Sequence, residues 1–395
     1  MIRLILPVLL AALAGCAKPP AATSPWTPPS AGSFLSDTGL PVSDDEAVAR
    51  ARAADFILMG ESHTNLCDHA VQARLIESLA RSGLRFSIGL EMLPVTAQPV
   101  LDRFNARSVT AQDLGQQVGW EKLWGYPYAQ YKPVFELAER YGLPVAALNV
   151  PRQTLTTFRD KGEAGLSQAD RETLPRRIIP ASPAQRAALA EQVGMHQTMR
   201  EAGAPKDGGG KTPDMAEMAE KFFLVQALWD SMMAEQALAW RARLDMPMLI
   251  LAGAGHVEHG WGIEYRLRTL APEARCLPVM PVRDEEDFLE QTDAGQRPLP
   301  GEALFFYCAS QHRSRLGMNI VFEAAGMRVD AVEPGSRADK AGLLTGDVLL
   351  RAGDRDLSEA TDLHFAAMAA SRQKKPLELT VRRAGQELAI AIPLD

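Results

Sequence analysis

The chain has 395 residues, which is enough for two or three domains. Its hydrophobic content of 46% and charged content of 23% are ordinary for a globular protein. A net charge of −7 without any basic cluster argues against a nucleic-acid partner. Beyond the N-terminal leader, no apolar stretch of the sequence is long enough for a membrane helix.

Residues 1–16 have the pattern of a bacterial lipoprotein signal peptide. Arg3 gives a positive start, and Leu4 to Leu13 form an apolar run too short to span a bilayer. Small residues then precede Cys16, as in a lipobox. We therefore expect Cys16 to carry palmitate and further acyl chains, and Ala17 favours sorting to the outer membrane, facing the periplasm. The alternative is an ordinary cleaved signal with a stray cysteine.

Residues 17–43 are predicted to be a tether between the membrane and the folded protein. The stretch up to about Ser33 is rich in Pro, Ala, Thr and Ser, which is typical of an extended linker. The order of a folded domain is expected to begin near Asp44.

Three cysteines remain after Cys16, namely Cys67, Cys276 and Cys308. A cell-envelope location permits a disulfide, but three thiols leave at least one unpaired. No CxxC motif occurs, so neither a zinc–thiolate site nor attachment of a c-type haem is expected. We interpret these cysteines as buried, inert thiols.

From residue 44 onwards, apolar runs alternate with helical stretches. Strands are predicted at 56–59, 86–90, 144–148 and 247–251, with edge strands at 276–282 and 303–307, and helices at 70–81, 97–104 and 132–141. This alternation indicates βαβ units, and hence an α/β fold with a mainly parallel sheet flanked by helices. Right-handed crossovers are expected between its parallel strands.

A helical insertion is predicted between the third and fourth strands, over residues 166–200 and 214–243. Methionines crowd it, and core packing explains them better than a methionine-lined haem pocket; they are Met215, Met218, Met232 and Met233. The Gly-rich piece between the helices, 203–212, ends in Gly-Lys-Thr. It is not a P-loop, because Pro205 replaces the first glycine and a helix precedes it, so we expect a flexible loop.

Polar residues follow each predicted strand of the sheet. In chain order they are Glu61 and His63, Glu91, Asn149 and Arg152, and His256. Because ligands bind outside the carboxyl ends of parallel strands, we expect the two histidines and two glutamates to meet at one edge of the sheet. Such a convergence predicts a functional site there.

Each of these residues also has a structural explanation when it is taken alone. Glu61 would serve as a helix cap, and Glu91 as a buried carboxylate that accepts backbone N–H groups. His259, three residues beyond His256, is interpreted as a surface residue.

The same residues belong to an ordered set of motifs that resembles the ChaN-type haem-binding lipoproteins. The set comprises Gly60-Glu61-Ser62-His63, Asp68-His69 with Gln72, Gly89-Leu90-Glu91-Met92, Gln226 with Asp230 and Met233, and Ala252-Gly253-Ala254-Gly255-His256-Val257 with Gly260. The resemblance covers residues 44–313. The broader superfamily includes the Tiki proteases and the erythromycin esterases, which share the Gly-Glu-x-His start and a Glu after the second strand.

The resemblance implies a domain that binds haem for haem and iron uptake, and a homodimer around paired haems. In such proteins an axial tyrosine holds ferric iron, for which a phenolate is a suitable hard donor. The candidate tyrosines lie in the segment 124–131, and we favour Tyr131, then Tyr128. His196, on the inserted helix, is the candidate histidine that steadies the propionates of the partner subunit's haem. His63 and His256 complete the predicted haem-binding set.

After residue 313, short strands and Gly-rich turns replace the α/β alternation. Pro334-Gly335-Ser336, Ala341-Gly342-Leu343 and Gly346-Asp347-Val348 make this part resemble a bacterial PDZ domain, over residues 314–395. The resemblance implies that an extended peptide adds as a strand, with its terminal carboxylate on the backbone amides of a loop. That loop contains Leu316, Gly317 and Met318. A spacer whose groove is empty or covered is the alternative.

Two functions remain for the whole chain. The favoured one is a lipid-anchored envelope protein that binds haem, a transport protein rather than an enzyme, whose PDZ module contacts a peptide or an envelope protein. The alternative is a hydrolase or protease that uses a divalent metal, with His63 and His256 as bases or ligands and Glu61 and Glu91 assisting them. No Gly-x-Ser-x-Gly motif occurs, so acyl-enzyme chemistry is not expected.

Overall fold

The computed structural model describes residues 26–203, 215–293, 303–323, 326–358 and 360–394. The strands of the first sheet are β1 Phe34–Leu35, β2 Pro41–Val42, β3 Phe56–Glu61, β4 Ser87–Pro94, β5 Val145–Asn149, β6 Met248–Gly253, β7 Cys276–Val282 and β8 Leu304–Tyr307. The strands of the second are β9 Gln311–Ser314, β10 Met318–Glu323, β11 Gly326–Val332, β12 Val348–Ala352, β13 Arg355–Asp356, β14 Leu377–Arg383 and β15 Gln386–Ile392.

The helices lie around the first sheet, except for the last two, which belong with the second. They are α1 Asp44–Arg52, α2 Leu66–Arg81, α3 Gln98–Asn105, α4 Ala111–Val118, α5 Trp120–Leu123, α6 Tyr128–Tyr141, α7 Arg152–Lys161, α8 Gln168–Arg171, α9 Pro183–Gly203, α10 Met215–Leu244, α11 Ile263–Leu270, α12 Glu285–Thr292, α13 Arg337–Lys340 and α14 Ala360–Arg372. Within the described ranges, every helix is too short or too polar to cross a bilayer.

The first sheet has the strand order β2-β1-β8-β7-β3-β6-β4-β5, and its six strands from β8 to β5 are parallel. This confirms the predicted α/β fold with a mainly parallel sheet. The strand at 276–282 is not an edge strand as predicted, because β7 lies between β3 and β8. The chain returns after β5 to insert β6 between β3 and β4, which brings the ends of these three strands together.

Both faces of this sheet are buried, as expected for parallel strands that are covered by helices on each side. Successive residues of β3 belong to different cores: Ile57 packs with α2 and α6, and Leu58 packs with α10 and α11. All six residues of β3 and all six of β6 are buried. The sheet is therefore a rigid base for the side chains at its carboxyl edge.

The folded domain begins earlier than the predicted boundary at residue 44. Phe34 and Leu35 form β1, which pairs antiparallel with β8, and both side chains are buried. Two apolar residues inside an otherwise linker-like composition were too weak a signal for a strand. Cys16 and the first part of the predicted tether lie outside the described residues.

The insertion is helical as predicted, but its first long helix begins at Pro183 rather than near residue 166. Pro175 and Pro180 account for the difference, since proline interrupts a continuing helix. Met232 and Met233 are fully buried, which confirms that they pack in the core. Residues 204–214, which include most of the Gly-rich piece, lie outside the described residues.

A disulfide joins Cys67, at the start of α2, to Cys308, just after β8, with 5.8 Å between the two Cα atoms. The prediction of inert thiols is therefore wrong for these two cysteines. They are 241 positions apart in sequence, so no local spacing could reveal their proximity. Cys276 stays a free, buried thiol, and burial raises its pKa to about 12.

The second sheet is antiparallel, with the order β15-β14-β12-β11-β10-β9 and β13 on β12. Its core contains Met318, Val329, Leu349 and Val381, packed under α14. Strand β9 begins at residue 311, so this module starts slightly before the predicted boundary at 314.

The disulfide is expected to stabilise the α/β domain. Cys308→Ser should lower the free energy of unfolding by about 2–5 kcal/mol, because it frees a long loop in the unfolded chain. Denaturant unfolding with and without dithiothreitol measures this loss. Cys276→Ala is the matched control, since that variant should keep the full response to dithiothreitol. An unchanged midpoint for Cys308→Ser would show that the bridge does not hold the fold.

Candidate functional site

The predicted convergence at the carboxyl edge of the sheet is present. Glu61 ends β3, Gly253 ends β6, and Glu91 lies on β4 one residue beyond its last pair with β6. Because β6 lies between β3 and β4, these ends are neighbours, and the loops after β3 and β6 add His63 and His256. We call this group of residues the rim.

Glu61 is the central acceptor of the rim, and its side chain is fully buried. One oxygen, Oε1, accepts hydrogen bonds from the Tyr131 hydroxyl at 2.5 Å and from His63 Nδ1 at 2.9 Å. The other, Oε2, accepts one from Gln72 Nε2 at 2.7 Å. A buried carboxylate needs such donors, and these three also fix the orientation of the side chains that supply them.

His63 is held by Glu61 through Nδ1, which places the Cε1 and Nε2 atoms of its ring next to Gly253. Its ring packs edge-on against Trp124 at 4.8 Å and tilted against Tyr126 at 5.2 Å, and its side chain is 27% exposed. Burial alone would lower the pKa of His63. The hydrogen bond to Glu61 and the charge of Glu91 outweigh burial, so the pKa lies above its usual value.

Gly253 makes room for the His63 ring. A Cβ at this position would lie 2.8 Å from His63 Cε1 and 3.1 Å from Nε2, so any side chain would displace the imidazole. The Gly253 N–H also donates to Glu91 Oε2 at 2.6 Å. The glycine in this motif therefore lets the ends of β4 and β6 enclose one histidine.

His256 is a buried, charged imidazole between two carboxylates. Its Nδ1 lies 2.6 Å from Asp230 Oδ1, and its Nε2 lies 3.4 Å from Glu91 Oε1. Burial alone would lower the pKa of His256. The two carboxylates have a larger, opposite effect and raise this pKa to about 10. For Glu91 the effects have the opposite sign. Burial alone would raise its pKa, but His256, His63 and the Gly253 N–H hold that pKa at about 2. His256 is thus part of an ion pair in the wall of the site.

The other polar residues at this edge differ in their burial and contacts. Asn149 donates to the Glu91 carbonyl at 2.8 Å and is buried. Arg152 is exposed at the start of α7. His259, interpreted from the sequence as a surface residue, is partly exposed, with its ring 4.3 Å from the ring of Trp261.

The tyrosines of the segment 124–131 differ in their surroundings. Tyr131 is 1% exposed, and its hydroxyl donates to Glu61. The Tyr128 hydroxyl donates to the Ala111 carbonyl at 2.6 Å. Tyr126 is partly exposed and lies against His63. The choice of Tyr131 and Tyr128 as iron ligands stays a prediction. His196 lies in α9, but its side chain is outside the described residues.

Sequence reasoning missed a second ion pair beneath the rim. Arg283 donates to both oxygens of Asp68, at 2.7 and 2.6 Å, and also to Ser62 Oγ and the Cys308 carbonyl. Asp68 in turn accepts from the Ser62 N–H at 2.8 Å. The pair therefore fixes the residue between Glu61 and His63. Asp68 was present in the motif set, but nothing local to the sequence pointed to Arg283.

The rim can present one imidazole nitrogen, with aromatic rings beside it, to a ligand. Across the described part of the chain, no three His, Cys, Asp or Glu side chains are grouped as they would be around a metal ion. The carboxylates of the rim instead bind the two histidines and the tyrosine. These contacts fix the orientation of the His63 ring.

The chain matches a family model described as haem-binding uptake, Tiki superfamily, ChaN, over residues 47–267, and a PDZ model over residues 314–394. It is similar in fold to a structure described as cofacial haem binding to ChaN of Campylobacter jejuni. The TM-score is 0.51 at 19% identity, and the match covers 69% of this chain and 96% of that one. For an erythromycin esterase in its open conformation the TM-score is 0.36 at 14% identity, covering 64% and 78% of the two chains.

Human whirlin is similar over a short segment. It is 44% identical over 61 residues, which are 15% of this chain and 6% of whirlin. The mouse and rat proteins match over the same length. The chain therefore spans only a small part of these curated relatives.

The His256 ion pair is expected to make stability depend on pH. In the folded protein the imidazole stays protonated up to about pH 10, and in the unfolded chain only up to about pH 6.5. Its contribution is therefore complete below pH 6.5 and is lost as the pH rises towards 10. Asp230→Asn should lower the pKa of His256 and destabilise the protein at pH 6 by about 3 kcal/mol.

Urea unfolding between pH 6 and 10, with NMR titration of the imidazole, measures both effects. Glu273→Gln, which removes an exposed carboxylate elsewhere on the domain, is the control. A pKa for His256 that stays unchanged in Asp230→Asn would contradict this electrostatic assignment.

Proposed function

Because the chain belongs to the haem-binding uptake family ChaN of the Tiki superfamily and carries a PDZ domain, we propose that its α/β domain binds haem at the open side of the rim. The observation that carries this proposal is the oriented His63 ring between Trp124 and Tyr126. Among the residues that the structure describes, His63 Nε2 has no hydrogen-bond partner, so it is available to a ligand.

The residues at the rim fit the chemistry of haem. A haem site needs an axial donor, a flat apolar contact and cations for the propionates. Tyr126 and His63 supply an oxygen and a nitrogen donor side by side, and Trp124 supplies an aromatic surface. Exposed Arg152, which follows the neighbouring strand β5, is a candidate for a propionate. Bound haem would supply a ferric centre, and the protein would orient it and limit its contact with water.

Tyr126 is our first candidate for the axial oxygen, ahead of Tyr131 and Tyr128. Burial and the charge of Glu61 raise the pKa of Tyr131 far above its usual value, so this phenol is the least suited to become a phenolate. Burial also raises the pKa of Tyr128. Tyr126 is partly exposed, and its ring centre lies 5.2 Å from that of His63.

The cellular role that we propose rests on the sequence. The lipobox supports acylation of Cys16 and an outer-membrane location facing the periplasm. Haem bound there would serve haem or iron uptake. We propose a homodimer in which His196 of the partner subunit lies near the propionates. The PDZ domain would bind the C-terminal peptide of an envelope protein through Leu316, Gly317 and Met318.

One observation keeps the hydrolase as a second candidate. A histidine whose Nδ1 is held by a carboxylate, as His63 is by Glu61, is the arrangement of a general base. A hydrolase of this kind would bind a stoichiometric divalent metal that is lost in His63→Ala or His256→Ala. Metal analysis of the purified protein distinguishes this candidate from haem binding.

Hemin titration of the chain from residue 17 onwards tests the haem proposal. The protein should give a saturable Soret shift, and Tyr126→Phe and His63→Ala should each weaken binding by at least about tenfold, or ~1.4 kcal/mol. Tyr128→Phe is the matched control, because its hydroxyl bonds to a backbone carbonyl within the core helices.

Two results would alter the assignment. If Tyr131→Phe or Tyr128→Phe abolishes the shift while Tyr126→Phe does not, the axial ligand lies elsewhere in the segment. If no variant and no wild-type sample shows a saturable shift, the domain does not bind haem.

A further inference from the structure

The outer edge of β10 is occupied by β9, a strand of the same chain. The two strands pair antiparallel, with Ser314 opposite Met318 and Gln311 opposite Val321. The other edge of β10 pairs with β11, so β9 takes the last position in the sheet. In a PDZ domain this is the kind of open edge to which an extended peptide adds as a strand.

Ser314 also occupies the place expected for a terminal carboxylate. The Leu316 N–H donates to Ser314 Oγ at 3.2 Å, and the Gly317 N–H donates to the Ser314 carbonyl at 3.0 Å. These are two of the loop amides predicted to receive a peptide carboxylate. Two oxygens of one residue thus satisfy them both, as the two oxygens of a carboxylate would.

Burial lowers the pKa of His312, and the charge of His364 on α14 lowers it further. His312, which lies on β9 opposite Ile320 of β10, is therefore also near that helix. This agrees with a strand seated between β10 and α14, where a PDZ ligand would lie.

The α/β domain holds the N-terminal end of the same segment. Cys308 is bound to Cys67, Asn65 Nδ2 donates to the Ala309 carbonyl at 3.0 Å, and the Leu66 N–H donates to Gln311 Oε1 at 2.9 Å. From the other side, the Phe322 N–H donates to the Ser310 carbonyl at 3.0 Å. The segment 308–314 is thus fixed at both ends.

We propose that β9 is an internal ligand of the PDZ module, which an external C-terminal peptide must displace before it can bind. The inference rests on the proposed peptide-binding function of this module. Only residues 315–317 connect β9 to β10, so the internal strand competes at a high effective concentration. The disulfide and the contacts of Asn65 and Leu66 restrict its release further.

An external peptide can bind only to those molecules in which β9 has left the edge of β10. The measured peptide affinity is therefore reduced in proportion to the fraction of molecules in this open state. His312→Pro should open it, because proline removes an N–H and cannot keep the ladder in the middle of β9. His312→Ala is the matched control, since it keeps the backbone pairing. Cys308→Ser should give a smaller effect in the same direction.

NMR titration of the chain from residue 17 tests the proposal. The probe is a synthetic pentapeptide with the sequence of residues 310–314 and a free carboxylate, added up to about the millimolar range, which the effective concentration of a short linker demands. His312→Pro should bind it at least about tenfold more tightly than wild type or His312→Ala. The C-terminally amidated pentapeptide should bind more weakly.

Hydrogen exchange gives a readout that does not depend on the probe. The amides of Leu316 and Gly317 should be protected in the wild type, exposed in His312→Pro, and protected again on addition of the peptide. Fast exchange of these amides in the wild type, or wild-type binding as tight as that of His312→Pro, would overturn the internal-ligand proposal and leave peptide binding intact. Binding by no form would contradict the proposed peptide-binding function, and with it the competition.

Discussion

The buried carboxylate of Glu61 is the constraint on which the site depends. It lies at the end of a central strand, out of water, and needs hydrogen-bond donors to remain there. Tyr131, His63 and Gln72 supply them, and each is thereby fixed in position. The outcome is an imidazole held in one orientation at the edge of the sheet, which neither the fold nor the aromatic segment alone would produce.

The rest of the rim supports that arrangement from both sides. Gly253 leaves space for the ring, and its N–H holds Glu91, whose charge faces both histidines. Beneath them, Arg283 ties Asp68 to Ser62 and to the Cys308 carbonyl. The same ion pair thus contacts the loop that carries His63 and the disulfide that precedes the PDZ module. The Arg283–Asp68 pair therefore contacts both the functional site and the segment that leads into the PDZ module.

Much of the fold and of the rim could be predicted from the sequence. The features that could not be predicted have physical reasons. The apolar runs of β3, β4, β5 and β6 specify a parallel sheet, and strand ends in such a sheet must meet, so the convergence of Glu61, His63, Glu91 and His256 followed from pattern alone. The role of each tyrosine could not be predicted from the pattern. Tyr126, Tyr128 and Tyr131 lie within six residues, and only the start of α6 and the packing of Trp120 and Trp124 decide which hydroxyl is buried. The disulfide, Arg283 and the self-pairing of β9 depend on contacts between residues far apart in the chain.

His63, oriented by Glu61, is the residue that we propose to face the bound haem. Paramagnetic broadening of the histidine ring resonances by ferric hemin tests it most directly, because broadening falls steeply with distance from the iron. If His63 faces the iron, its signals broaden first, those of His256 less, and those of His364 on α14 not at all. Broadening that spares His63, or that is strongest at His364, would contradict it.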